Sequence, residues 1–257
     1  MRHLILYLES PLMAFGGETI DNYGVIRWFP AASMLTGLLA NALGWRRVEQ
    51  ERHQRLQDRL VFAARVDREP HGGLRITDFQ TALLGAKDQG WTTRGQPEGR
   101  DGGSHTYDAP HLRYRDYFAD MRVTVALRLE PDTDEPTLDR LAEALQEPAR
   151  PLFIGRKPCL PSTLLFGGFT QGDTALGALV ACPLVDQAFT SAAVRALWPD
   201  GEGVVGIEAN RCYAFTDQRN WRSGLHGGGR AVCEGAVNRD EFSSPEGTPS
   251  LEREGQP

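Results

Sequence analysis

Residues 2–8, RHLILYL, are apolar on both alternating faces, which is typical of a strand covered on both sides of a sheet. After a loop, apolar positions recur at helical spacing from Met34 to Leu43, with Ser33 as candidate N-cap and Gly44 at the end. The two segments predict a central strand followed by an amphipathic helix that packs on the sheet.

The elements that follow complete a recognisable order. Two strands are predicted at 60–67 and 74–80, paired as a hairpin through the turn at 70–73. Alternation over 123–129 predicts a half-buried strand with one polar face, and 134–145 predicts a second amphipathic helix. With one further strand, this order indicates an α+β, ferredoxin-like (RRM-like) domain, with both helices on one face of an antiparallel sheet and the other face free for a ligand.

The second half of the chain is less regular. The apolar run at 151–154 is predicted to return to the sheet, and 159–237 is interpreted as a smaller β-rich extension. Residues 238–257 are acidic and rich in Pro, Gly and Ser, which predicts a disordered tail. The β-prone runs of the extension lie at 178–185, 204–208 and 211–215.

Composition narrows the class of protein. The 257 residues are 40% hydrophobic and 24% charged, as in an ordinary globular protein. Neither an apolar run long enough to span a membrane nor a signal peptide is present, so we expect a cytoplasmic protein with no membrane partner. The cysteines, Cys159, Cys182, Cys212 and Cys233, include no CxxC pair and favour reduced thiols over a disulfide framework or a zinc site.

The charge is unevenly distributed. The net charge is −6, which argues against nucleic-acid binding through a general positive field. However, residues 22–48 and 150–160 contain cations and no acidic residue, and all cations but Lys87 and Lys157 are arginines. Arginine suits phosphate contacts and stacking on bases, although a GC-rich genome produces the same bias. An acidic chain can bind RNA when its cations are confined to one face.

Three stretches combine glycines, helix starts and cations. Residues 10–17 follow the first strand with a Gly pair, 27–33 end at a helix N-terminus that can hold a phosphate, and 155–159 place two cations in a turn. Each also has a plain structural interpretation, as a tight turn, an ordinary helix cap or a solvated turn. The candidate contacts in these stretches are Met13, Phe15, Arg27, Ser33, Arg156 and Lys157.

A long Gly-rich excursion at 85–108 leads into a segment that interleaves aromatic residues with cations. Arg113 and Arg115 are predicted to share one strand face, with Tyr114 on the other. Aromatic and guanidinium planes stack on unpaired bases, although a hairpin with a solvated arginine face explains the pattern equally well. The further candidates are Lys87, Arg113, Arg115 and Tyr117.

The same region also offers a catalytic alternative. Lys87, His105, Tyr107 and His111 are residue types that cleave RNA by general acid–base chemistry without a metal. GxSxG, HExxH and P-loop motifs are absent, so neither a hydrolase of those classes nor an NTPase is expected.

Several stretches together resemble a known family, the CasD (Cas five) family of RAMP proteins in type I-E CRISPR surveillance complexes, called Cascade. The resemblance covers residues 2–168 and weakens beyond them. The excursion at 88–110 is longer and richer in glycine than the family pattern, and the acidic tail lies outside it. The matching stretches are SPLMAFG (10–16), RWFPAASMLTGLL (27–39), TALLGAKD (81–88), YRDY (114–117) with VTVAL (123–127), and FIGRKPC (153–159).

The resemblance implies a ferredoxin-like palm over residues 1–158 with an inserted β-hairpin thumb at about 81–120. It implies that palm and thumb grip the 5′ handle of the crRNA through the candidate residues named above, with Arg115 foremost in the thumb. The expected partners are this RNA, the CasC backbone subunits, the large CasA subunit and, through the complex, target DNA. No cofactor, metal or catalysis is expected, because a separate subunit cuts the precursor; relatives in type I-C systems, which process precursor crRNA, keep the endoribonuclease alternative open.

Overall fold

The computed structural model describes residues 1–17, 22–70, 73, 75–82, 111–184 and 192–242. The strands are β1 (Arg2–Met13), β2 (Phe15–Gly16), β3 (Tyr23–Gly24), β4 (Ile26–Arg27), β5 (Leu60–Arg68), β6 (Arg75–Ala82), β7 (His111–Leu129), β8 (Phe166–Gln171), β9 (Ala193–Pro199), β10 (Arg211–Asn220) and β11 (Leu225–Asn238). The helices are α1 (Ala32–Ala42), α2 (Gln50–Arg59), α3 (Leu138–Gln146) and α4 (Ala175–Val180), and a 3₁₀ turn spans Arg239–Glu241.

One mainly antiparallel sheet organises the α/β fold, in the order β10-β11-β9-β5-β7-β1-β8. As predicted, β1 is an interior strand, paired with β7 on one side and β8 on the other. The predicted hairpin between 60–67 and 74–80 is wrong. The two segments do not pair with each other, because both pair with the long strand β7, β5 with its second half and β6 with its first half.

The two faces of the sheet are both covered. Leu4, Leu6 and Leu8 of β1 pack with α1 and α3 in the larger core. Ile5 points to the other face, where it packs with α4. The expectation of a ligand face left free opposite the helices is therefore wrong for this part of the sheet, because α4 lies on it.

The strand at 123–129 is buried on both faces, not half-buried as expected. Its polar residues are accommodated by partners: Thr124 donates its hydroxyl hydrogen to Asp67, and Arg128 forms an ion pair with Glu202 at 2.7 Å. A buried polar group that is fully hydrogen-bonded costs little. The apolar and polar residues of this strand do alternate, but the polar side chains meet hydrogen-bonding partners inside the protein instead of water.

The C-terminal half departs most from expectation. In the run predicted as β-prone at 178–185, residues 178–180 lie in helix α4 and residue 185 lies outside the described part. The run at 204–208 forms no strand, whereas 211–215 lies in β10 as predicted. The run at 151–154 is irregular, and β8 takes the place beside β1. Helix α2 was missed because it is very polar: only His53, Leu56, Gln57 and Arg59 of its ten residues are buried.

The start of the acidic tail is ordered. Phe242 is buried and lies 4.6 Å from the guanidinium carbon of Arg65. Arg65 is itself completely buried; it pairs with Asp67 and donates to the carbonyls of Leu179, Cys182 and Pro183. The predicted disorder is thus wrong for 238–242, of which 238 ends β11, and residues 243–257 lie outside the described part.

The prediction of reduced thiols is wrong for two cysteines. Cys212 and Cys233 are directly opposed on β10 and β11 and form a disulfide, whereas Cys159 and Cys182 are free and buried. The two cysteines are 21 residues apart in sequence, so no local motif indicates the disulfide, which forms because the strand register places them opposite each other. No helix in the described ranges is long and apolar enough to cross a membrane.

Candidate nucleic-acid interface

The three stretches singled out by sequence surround one groove of about 710 Å³. Its walls come from the glycine turn after β1, from Arg27 in β4, from the first residues of α1 and from the turn at 155–156. The C-terminal strands close it with Thr216, Asp217 and His226, which sequence reasoning did not identify. The fold thus brings together in one groove residues that the sequence places in three separate stretches.

Three of the candidate contacts are not available to a ligand. The side chains of Met13 and Phe15 are completely buried, and Tyr117 is 3% exposed. Met13 and Phe15 pack in the main core beside α1, and the Arg156 guanidinium covers the Tyr117 ring at 4.9 Å. The expectation of flat apolar surface for bases is wrong at these positions; the three residues hold the groove walls in place.

The N-terminus of α1 differs from its prediction. Ala31 is the N-cap, and Ser33 caps nothing; it lies half-buried in the first turn and lines the groove. The cap is instead supplied from far along the chain, since the Ala32 amide donates to Oδ2 of Asp217 at 3.0 Å. A carboxylate at this position satisfies an open helix N–H and the helix dipole. The chain's own carboxylate therefore occupies the place that the sequence predicts for a phosphate.

The negative charge of Asp217 is balanced by the positive charge of Arg230 beside the groove. Asp217 is 4% exposed and pairs with Nε of Arg230 at 3.1 Å. Burial raises the pKa of Asp217 despite the adjacent Arg230, and burial lowers the pKa of Arg230. Arg27 adds a further positive charge, with its guanidinium donating to the Thr216 carbonyl at 2.8 Å and lying 4.8 Å from the Phe215 ring. Arg27 thus ties β4 to β10 and presents its charge at the rim.

The turn at 155–159 holds Arg156 in place and leaves Lys157 exposed. Gly155 has φ +85° and lies so close to β1 that a Cβ there would be 1.9 Å from the Ala14 carbonyl oxygen. This approach directs Arg156 towards β3 and β7, where it donates to the Asp116 carbonyl at 2.7 Å and to the Gly24 carbonyl at 2.9 Å. Arg156 is therefore a fixed cation and not a freely solvated one.

Two guanidinium groups meet over Gly24. A Cβ at Gly24 would lie 2.7 Å from Nη1 of Arg115 and 2.9 Å from Nη2 of Arg156. Arg115 is half-buried, and its Nη1 donates a long hydrogen bond of 3.4 Å to the Tyr114 carbonyl. Within the described residues neither guanidinium forms an ion pair with a carboxylate, and two like charges held close together attract an anion.

The strand faces near β6 are divided as the sequence predicted. Arg113 and Arg115 lie on one face of β7, and Tyr114 lies on the opposite face, stacked on Tyr23 at 4.9 Å and tilted against Phe79 at 5.3 Å. Arg113 is exposed. Tyr23 and Phe79 are each about half exposed, so an aromatic surface lies behind the basic one.

The catalytic alternative is not addressed by the described residues. Lys87, His105 and Tyr107, and the predicted hairpin tip, lie outside them, as does the side chain of His111, whose backbone belongs to β7. Sequence reasoning also missed Gly24 and Asp217. A signal for Gly24 existed, because the acid-free stretch at 22–48 begins beside it, but nothing local marked Asp217.

Comparison with known proteins first defines the fold as that of CRISPR-associated proteins. The chain superposes with a TM-score of 0.60 on a structure described as "Crystal structure of Cas protein", at 21% identity over 96% of this chain and 100% of that one. It superposes with a TM-score of 0.59 on a chain of a "CRISPR RNA-guided surveillance complex", at 23% identity over 95% and 94% of the two chains.

The family then follows from sequence. Residues 3–233 match the model of the family described as CRISPR-associated protein (Cas_Cas5), and the chain belongs to this family. A curated relative, the CRISPR system Cascade subunit CasD of Escherichia coli (strain K12), is 29% identical over 178 residues, which cover 69% of this chain and 75% of the relative. The resemblance inferred from the motifs is confirmed.

Proposed function

We propose that this protein is a non-catalytic RNA-binding subunit of a Cascade-type complex in antiviral defence, and that it binds the 5′ handle of the crRNA. In this proposal a ferredoxin-like palm and a thumb hairpin, of which β6 and the first half of β7 are the arms, hold the RNA. The protein joins the CasC backbone to the large CasA subunit, contacts target DNA only through the complex, and works in the cytoplasm.

The observation that carries the proposal is the pair of guanidinium groups over Gly24. The Arg115 and Arg156 guanidinium groups both lie against Gly24, where β3 pairs with β7, and in the described part of the chain neither forms an ion pair with a carboxylate. Arg27 and Ser33 line the neighbouring groove, and Lys157 stands exposed on the adjoining turn. Phosphate groups neutralise such a cluster, and half-fixed arginines bind them with little loss of side-chain entropy. Family membership and the name of the curated relative support the same assignment.

The net charge of −6 does not oppose this proposal. Several acidic side chains elsewhere pair with arginines, as in the pairs of Arg2 with Asp139 and Arg211 with Glu234. At physiological salt, charges beyond about 8 Å are largely screened, so the local cluster decides whether RNA binds.

The test is incubation of the purified full chain with labelled precursor crRNA in EDTA, followed by native and denaturing gels of the same samples. We expect binding of handle RNA, weaker binding of unrelated RNA of equal length, and no cleavage. Arg115→Ala should weaken binding by about 1–3 kcal/mol through lost stacking and charge. The matched control is Arg140→Ala on α3, where the exposed side chain pairs only locally with Glu143.

Each result has a distinct meaning. Metal-independent cleavage at one site in the repeat would replace the proposal with a processing endoribonuclease and direct mutagenesis to Lys87, His105, Tyr107 and His111. Equal affinity for handle and unrelated RNA would indicate a scaffold with incidental RNA contacts. Wild-type binding by Arg115→Ala would remove Arg115 from the site.

A further inference from the structure

A second groove adjoins the first, and His226 lines both. It has a volume of about 580 Å³ and lies between helix α2 and the connected ends of β10 and β11. Because the two grooves share a wall residue, a chain that leaves the first groove on this side enters the second. No motif in the sequence marked this region, and the candidate contacts named so far do not reach it.

Arg219 is the charged residue of this groove that lacks a carboxylate partner among the described residues. Its Nε is buried and has no hydrogen-bond partner there, and its guanidinium lies 5.2 Å from the Trp221 ring. Burial lowers the pKa of Arg219, and the nearby positive charge of Arg47 adds to the effect. A desolvated guanidinium next to a like charge is strongly stabilised when an anion binds to it.

The backbone that carries Arg219 is held rigidly against α2. The Gln57 side-chain amide donates to the Arg219 carbonyl at 2.9 Å and accepts from the Arg219 amide at 3.1 Å. The Trp221 indole N–H also donates to Gln57, at 3.1 Å, and the Trp221 amide donates to Gln54 at 3.0 Å. A cation on such a fixed frame loses little conformational entropy when it binds a ligand.

The other walls suit a polynucleotide backbone. Gly228 lines the groove within three consecutive glycines and packs so closely on Gln218 that a Cβ would lie 2.8 Å from Oε1. The lining acid Asp58 accepts a hydrogen bond from Gln54, and the lining Arg222 is paired with Glu51 at 2.7 Å. Arg219 is thus the cation at which an incoming phosphate meets an unsatisfied donor.

We propose that the groove between α2 and the β10–β11 hairpin is a second phosphate-binding subsite, which takes a further phosphodiester of the same single-stranded RNA that occupies the first groove. Arg219 supplies the charge and Gly228 admits the strand close to the backbone. The subsite rests on the proposed function, since it extends the path of an RNA held at Arg115 and Arg156. It makes the C-terminal extension part of the RNA interface.

The test compares RNA lengths and salt dependence on the full chain. Handle-derived oligonucleotides of about four and about ten nucleotides bracket the size that one such groove holds. We expect Arg219→Gln to bind the short RNA like wild type and the long RNA about tenfold more weakly, the effect of one lost charge-assisted contact. The slope of log affinity against log salt should fall by about 0.7 for the long RNA, as for one released phosphate contact.

Two further variants make the result decisive. Arg219→Lys keeps the charge and should retain the wild-type salt slope, which also shows that the site folds normally when residue 219 is replaced. Arg140→Gln on α3 is the control for loss of an exposed cation. Wild-type behaviour of Arg219→Gln at both lengths would overturn the subsite while leaving the proposed function intact if Arg115→Ala still weakens binding. Loss of handle preference in the wild type itself would instead defeat the proposed function.

Discussion

Substitution of Gly24 by alanine should separate RNA binding from folding. The added methyl group would lie 2.7 Å from Nη1 of Arg115 and 2.9 Å from Nη2 of Arg156, closer than carbon and nitrogen atoms can approach. The φ angle of Gly24 is not in the left-handed region, so alanine is compatible with the backbone there. The two guanidinium groups, which lie at the ends of long side chains, must therefore shift, and the strand can stay in place.

The magnitudes follow from those contacts. Displacing Arg156 weakens its 2.9 Å bond to the Gly24 carbonyl, but its bond to the Asp116 carbonyl can remain. Against this loss of about 1 kcal/mol, alanine lowers the entropy of the unfolded chain by about 0.4–1 kcal/mol. Stability should therefore change by less than about 1 kcal/mol. Removing one charge-assisted phosphate contact costs about 1.5–3 kcal/mol, so affinity for handle RNA should fall about tenfold to a hundredfold.

The assay is urea unfolding of the Gly24→Ala variant beside fluorescence-anisotropy titration with handle RNA. Gly37→Ala is the matched control, because Gly37 lies in α1 and a Cβ there would be 3.8 Å from Trp221, an ordinary contact. The control should gain about 0.5–1 kcal/mol of stability and bind RNA normally. Unchanged RNA affinity in Gly24→Ala, with its fold intact, would refute the assignment of the guanidinium pair as the binding cluster.

Two further predictions concern stability. Gly155→Ala should lower the free energy of unfolding by more than about 3 kcal/mol, because φ is +85° and the added Cβ would collide with the Ala14 carbonyl. In the control Gly16→Ala the added Cβ meets nothing within 4 Å, so the free energy of unfolding should change little. Similar urea midpoints for the two variants would contradict this prediction. Asp217 binds its proton more tightly when folded, so its contribution to stability decreases as pH rises from its ordinary value of 3.8 through its raised native pKa. Asp217→Asn leaves Arg230 unpaired, so it should lower the free energy of unfolding by about 3 kcal/mol at pH 7. Because asparagine does not titrate, the stability advantage of wild type over this variant should shrink as pH rises across that window. Urea unfolding that shows the advantage growing with pH would refute the predicted direction.

Local patterns predicted the elements with a strong apolar face. Strand β1, helix α1 and helix α3 were predicted because their apolar residues recur at fixed spacing, and that spacing survives in the folded core. Helix α2 was missed because its stability comes from contacts such as those of Gln57 with β10, which leave no hydrophobic period. Helix α4 was misassigned because a short apolar run is compatible with either a strand or a helix.

For the candidate site, the sequence identified residue types, and the fold decided which of them face a ligand. Arg27, Ser33 and Arg156 do line one groove, whereas Phe15 and Tyr117 are buried. Aromatic residues satisfy a core as well as they satisfy a base, so composition alone could not distinguish the two roles. The division of β7 into a basic and an aromatic face was predictable because alternation along a strand is strictly geometric.

The sequence by itself determined the family, the main strands and helices, and the clustering of arginines in acid-free stretches. Each of these features depends on motifs or spacings among residues that are close together in sequence. Only the tertiary structure decided that Asp217 caps α1, that Cys212 meets Cys233 and that Arg115 and Arg156 converge over Gly24. These contacts join residues from strands and turns that are distant in sequence. Their formation depends on sheet register and on close backbone approach, which no local pattern encodes.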